Sequence, residues 1–104
     1  MRRCNSQRYT VKVIKGFAHK GLERFFVKDD RRLLDAKQLP RIERILDALE
    51  HASSVAELDI PGFKLHKLTG NRKDTWSIRV TGNWRITFRF ENGEAHDVNL
   101  EDYH

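Results

Sequence analysis

The chain has one cysteine, Cys4, among 104 residues, so no disulfide can close within it, and no Cys/His spacing suits zinc. Long apolar runs are lacking as well. The longest is Phe25-Phe26-Val27, which excludes a transmembrane helix and the apolar centre of a signal peptide. Repeats, linkers and low-complexity stretches are absent, and the length leaves room for one domain with one modest core. What is present is a folding composition: 38% hydrophobic residues with ten aromatics (six Phe, two Tyr, two Trp) argue against disorder. A 34% charged fraction and a mean hydropathy of -0.70 describe a well-wetted surface.

The net charge of +5 is unevenly spread. Between Gly62 and Arg89 lie seven basic residues, Lys64, Lys67, Arg72, Lys73, Arg79, Arg85 and Arg89, against the single acid Asp74. From Phe90 onward there are five acids and no Lys or Arg, and residues 31–60 are nearly balanced. A positive central segment inside a domain suggests a face that meets phosphates.

Residues 1–10 show no period, and residues 1–12 read as a flexible basic extension preceding a domain at 13–104. Alternation from Tyr9 to Phe17 predicts an N-terminal strand. Leu22, Phe25 and Phe26 predict a short helix over 20–28. Leu39, Ile42, Ile45, Leu46 and Leu49 predict a longer helix over 39–52, with Pro40 in its first turn and Arg41, Glu43, Arg44, Asp47 and Glu50 on its wet side. Ser54-Val55-Ala56-Glu57 has the form of a capping box. After Gly62 the period becomes two. Strands follow around Phe63–His66, Trp76–Val80, Trp84–Phe90 and Ala95–Leu100, separated by turns at Gly70-Asn71, Gly82-Asn83 and Asn92-Gly93. The expected class is α+β: an N-terminal strand and two helices packed on one face of a mainly antiparallel sheet of four to five strands.

Parity turns this pattern into chemistry. If Trp76, Ile78, Trp84, Ile86, Phe88 and Phe90 face the helices, then Arg79, Arg85 and Arg89 face away, and His66 joins Lys64 opposite Phe63 and Leu65. Guanidinium groups hold phosphate oxygens bidentately, and histidine, with an ordinary pKa near 6.5, moves protons at neutral pH. Metal-free RNA cleavage needs a base for the ribose 2′-OH, an acid for the departing 5′-oxygen and a cation for the transition state. Each part also has an ordinary reading. His66 alone suits an exposed strand histidine, and Arg85 and Arg89 suit cross-strand pairing with Asp97 or Glu101. Trp76 and Trp84 read as core, His19, His51 and His96 as surface or half-buried groups, and Tyr103-His104 as a chain end.

Lys64-Leu65-His66-Lys67-Leu68-Thr69-Gly70, Trp76-Ser77-Ile78, Asn83-Trp84-Arg85-Ile86-Thr87-Phe88 and Asp102-Tyr103-His104 together resemble the HigB toxins of the RelE superfamily. Val13 to Leu22 resembles that family's usual start, so the likeness spans residues 13–104. It implies a RelE-like fold and a ribosome-dependent, metal-independent mRNA endonuclease that inhibits translation as the toxin of a type II toxin–antitoxin pair. It also implies a cytoplasmic protein that needs no cofactor and no membrane. Its partners are a helix-turn-helix, HigA-like antitoxin, mRNA in the ribosomal A site with ribosomal RNA, and operator DNA through the antitoxin complex. By position the catalytic set is His66, Arg85, Tyr103 and His104, with Lys64, Lys67, Arg72, Lys73, Arg79 and Arg89 contacting RNA. One departure stands out: some relatives have lysine where this chain has Thr69, leaving Lys67, Arg72 or Lys73 to supply the charge. The alternative is a module of the same fold that binds ribosome or RNA without cutting. A DNA-reading role has no helix-turn-helix pattern behind it.

Overall fold

A computed structural model of the chain describes residues 14–70 and 74–102. Helix α1 (Lys20–Lys28) and helix α2 (Leu39–His51) are followed by a 3-10 turn (Val55–Leu58). Four strands follow: β1 (His66–Lys67), β2 (Thr75–Arg79), β3 (Trp84–Glu91) and β4 (Glu94–Asp102). They form one sheet in the order β1-β2-β3-β4, every pair antiparallel.

α1 begins at His19, whose Nδ1 accepts from the backbone N–H of Leu22 at 3.1 Å. The ring folds back over the first turn. A Cβ at Gly21 would lie 2.8 Å from His19 Cε1 and 3.1 Å from Leu33 Cβ, so glycine there makes room for the cap. In α2, Ile42, Ile45, Leu46 and Leu49 are buried as their spacing requires. Glu50, expected on the wet side, is buried too. It lies roughly 80° around the helix from Ile42, at the margin of the apolar stripe. The capping box shifts by one residue. Ser54 makes no side-chain cap, and the Glu57 carboxylate accepts instead from the Ser53 backbone N–H at 3.0 Å and Ser53 Oγ at 2.9 Å. Those bonds hold the Glu57 carboxyl below its ordinary pKa, the backbone bond contributing most.

The core lies between the helices and one sheet face, where Leu22, Ile42, Ile45, Leu46 and Leu49 meet Ile78, Ile86, Phe88, Ala95 and Val98. Most of the predicted N-terminal strand falls outside the described residues. Its last part runs beside β4 through two parallel bridges, Ile14 to Ala95 and Phe17 to Val98, rather than as a full strand. Trp84 corrects the expectation of a core tryptophan, being 37% exposed. Its phase is that of the core face, but it is the first residue of β3 and stands at the rim.

The β3–β4 pairing shifts register between Thr87 and Arg89, where Asp97 adopts a left-handed φ of 55°. This bulge reverses the alternation of β4. Ala95 and Val98, three residues apart, are both buried, and Asn99 and Glu101 pass to the opposite face. The hairpin before it turns on Asn92 and Gly93, both at positive φ, as a two-residue turn between twisted strands requires.

Candidate functional site

The sheet face away from the helices carries two polar rows set by strand register. One runs His66, Ser77, Thr87, Asn99 across all four strands, and the next runs Arg79, Arg85, Glu101. Strand spacing and rise put the His66 and Arg85 Cα atoms roughly 12 Å apart, so their side chains can reach toward a group held between them. An open hollow of about 440 Å³ lies there, lined by Lys64, Leu65, His66, Leu68, Ser77 and Arg85. That volume is in the range of small-ligand clefts.

Local structure explains the lining. Phe63 is fully buried beneath Arg41 and Arg44, whose guanidinium carbons lie 5.4 and 5.6 Å from its ring centre. Its carbonyl accepts from the Arg79 N–H at 2.8 Å. Arg41 also donates to the carbonyls of Gly62 and Arg79, fastening α2 to this corner. Lys64 then takes a positive φ of 55°, ending regular extension before the short strand that carries His66. The expected Phe63–His66 strand is therefore only His66–Lys67, although Lys64 and His66 still line the same hollow.

Beside the hollow the sheet face is polar and closed. Ser77 and Thr87 are each 1% exposed. Thr87 Oγ1 donates to Glu101 Oε2 at 2.6 Å, and Asn99 Nδ2 donates to the same oxygen at 3.3 Å. Ser77 Oγ has no hydrogen-bond partner among the described residues. Arg79 and Arg85 stand directly opposite each other, a like-charge cross-strand pair. Glu101 flanks Arg85 on its other side.

Of the residues singled out from the sequence, His66, Arg85 and Lys64 converge on the hollow, and Arg79 lies beside Arg85. Two others are engaged elsewhere. Lys67 lies over the Trp76 ring, 5.6 Å from its centre, on the face opposite His66. Arg89 is clamped by Asp97 at 2.8 Å and Glu91 at 2.6 Å, as its ordinary pairing reading anticipated. Arg72, Lys73, Tyr103 and His104 lie outside the described residues. β4 carries the chain as far as Asp102, paired with Trp84 and thus one register step from Arg85. Ser77, Thr87, Asn99 and Glu101 were not singled out as site residues. The first two share the parity of Arg79 and Arg85, and that was the signal available for them. Among the described residues no three His, Cys, Asp or Glu side chains cluster as metal ligands would, and no helix is long and apolar enough to cross a membrane.

A histidine and an arginine lining an open hollow, with a second arginine beside them, can bind an anion and transfer a proton next to it. Residues 15–104 match the family described as the RelE-like toxin of the type II toxin–antitoxin system HigB. The chain is 46% identical over 92 residues to Endoribonuclease HigB of Proteus vulgaris, covering 88% of this chain and all of that protein. It is 34% identical over 89 residues to Toxin HigB-1 of Vibrio cholerae serotype O1, covering 84% of this chain and 94% of that protein. The family implies an antitoxin partner. The chain belongs to the HigB family of RelE-like toxins of type II toxin–antitoxin systems.

Proposed function

We propose that the chain is an endoribonuclease that cuts mRNA in the ribosomal A site and so arrests translation. The observation that carries this reading is the Arg79–Arg85 pair beside His66 on the face left free by the helices. Two arginines kept adjacent, with a proton-transferring group on the same hollow, suit one phosphodiester better than a general basic surface does. The name of the Proteus vulgaris relative supports RNA cleavage.

In this mechanism a base removes the 2′-OH proton, the oxygen attacks the adjacent phosphorus, and an acid protonates the departing 5′-oxygen. Arg85 neutralises the charge that develops on the phosphorane oxygens, so the chain itself supplies the cation and the step is metal-independent. His66, Tyr103 and His104 share the base and acid roles. Lys64 and Arg79 hold neighbouring phosphates, and Arg72 and Lys73 add positive charge for RNA. Lys67 and Arg89, already engaged by Trp76 and by Asp97 and Glu91, contribute least to RNA contact. The ribosome presents the mRNA and adds ribosomal RNA as a second contact. A helix-turn-helix antitoxin silences the toxin and carries the complex to operator DNA, and all of this takes place in the cytoplasm.

Induced expression in bacterial cells tests the reading. Wild-type protein stops growth, whereas Arg85→Ala or deletion of His104 restores it at equal protein level. Continued arrest by both variants would contradict the assignment.

A further inference from the structure

We propose that Glu101 is a positioning residue for Arg85, and that Thr87 and Asn99 in turn fix Glu101. The inference rests on reading Arg85 as the group that holds the phosphate. In the β3–β4 ladder Arg85 stands directly opposite Glu101, and Thr87 directly opposite Asn99, one step along the same face. Opposed residues of an antiparallel pair place their Cβ atoms about 5 Å apart, within reach for an arginine and a glutamate. The carboxylate is not left to wander. Its Oε2 accepts a short bond of 2.6 Å from the buried Thr87 hydroxyl and a second, at 3.3 Å, from Asn99 Nδ2.

The full row across the sheet is Arg79, Arg85, Glu101. Arg79 repels Arg85 from one side, and Glu101 attracts it from the other. A carboxylate tethered at one oxygen gives the guanidinium a fixed counter-charge. The arginine is then oriented before substrate arrives, and less rotamer freedom is lost when a phosphate binds. A mobile carboxylate would follow the guanidinium and fix nothing. Thr87 has no exposed surface with which to touch RNA, yet its hydroxyl is spent on this one contact. Glu101 does not react in this scheme. It acts through Arg85.

The test uses wild type, Glu101→Gln, Thr87→Val and the double variant in the full chain. Primer extension on mRNA in ribosomes gives kcat and KM. Glu101→Gln keeps the shape and removes the charge, so kcat falls on the order of tenfold while the melting temperature stays within a few degrees. Thr87→Val removes the tether and lowers kcat severalfold. The double variant is no slower than Glu101→Gln alone, because Thr87 acts through Glu101. Unchanged kcat in Glu101→Gln, or independent multiplicative losses in the double variant, would overturn the proposal. If Glu101→Gln does not fold, Thr87→Val decides: unchanged kcat overturns the proposal and a severalfold loss supports it.

Nitrogen-15 spectra of the Arg85 Nε–Hε group read the positioning without any cleavage. The wild-type group is ordered, and both single variants make it measurably more mobile than in wild type. Equal order in wild type and variants would sink the proposal even if cleavage changed. Conversely, wild type that does not cut, or Arg85→Ala that cuts normally, would undo the endonuclease reading while leaving the tether tested by the spectra.

Discussion

Protonation of His19 removes the N-terminal cap of α1. The imidazole Nδ1 accepts from Leu22 N–H only while it lacks a proton. Burial costs the charged ring its hydration and lowers the His19 pKa below its ordinary value of 6.5. The folded state thus prefers neutral His19, whereas the unfolded chain protonates it near the ordinary pKa. Its stabilisation is fully present above about pH 6.5 and drains away as the pH falls through the folded value. Loss of an N-cap costs about 1 kcal/mol, and a cation at the positive end of the helix dipole adds roughly 0.3–1 kcal/mol. Urea unfolding at pH 7.5, 6.5 and 5.5 measures the effect against His19→Asn, which keeps a good cap that does not titrate. Every other residue is the same in both proteins, so the difference isolates His19. Wild type should lose stability relative to the variant across that range, by no more than about 1.4 kcal/mol, the limit that linkage sets for one histidine over those two pH units. Parallel curves for the two proteins would refute the capping argument.

Phe63→Ala empties a fully buried ring site under Arg41 and Arg44 and should cost about 3–5 kcal/mol, seen as a lower urea midpoint. Arg89→Ala should leave mRNA cleavage within roughly threefold of wild type, because its guanidinium already serves Asp97 and Glu91 at the surface. Gly21→Ala forces the His19 ring from its cap despite alanine's helix propensity, so the variant should be less stable than wild type at pH 7.5 and should lose the pH dependence attributed to His19.

Periodicity located both helices and the β2–β4 hairpins because each buries one face, and a buried face leaves a regular imprint. α1 spans Lys20–Lys28 as its Leu22, Phe25 and Phe26 spacing indicated. The same alternation set Arg79, Arg85 and His66 on one side of the sheet. It also set Lys67 on the other side, where Trp76 lies, so charge alone was a poor guide to which basic residues share the hollow. The bulge at Asp97 was hidden. Without it, strict alternation from Ala95 would bury Asn99 and Glu101 on the core side, and only the left-handed turn at Asp97 brings them beside Thr87 and Arg85. Trp84 and Glu50 defied expectation for a common reason. Phase says which way a side chain points and not how far the core extends, and both residues sit at its margin.

Primer extension across mRNA in translating ribosomes tests the central claim most directly, with wild type, His66→Ala and Arg85→Ala run side by side. The expected result is new 5′ ends with wild type, and losses of roughly a hundredfold or more in both variants at equal binding and equal folding. Ribosome binding with no new 5′ ends from wild type, or undiminished cutting by the variants, would contradict it.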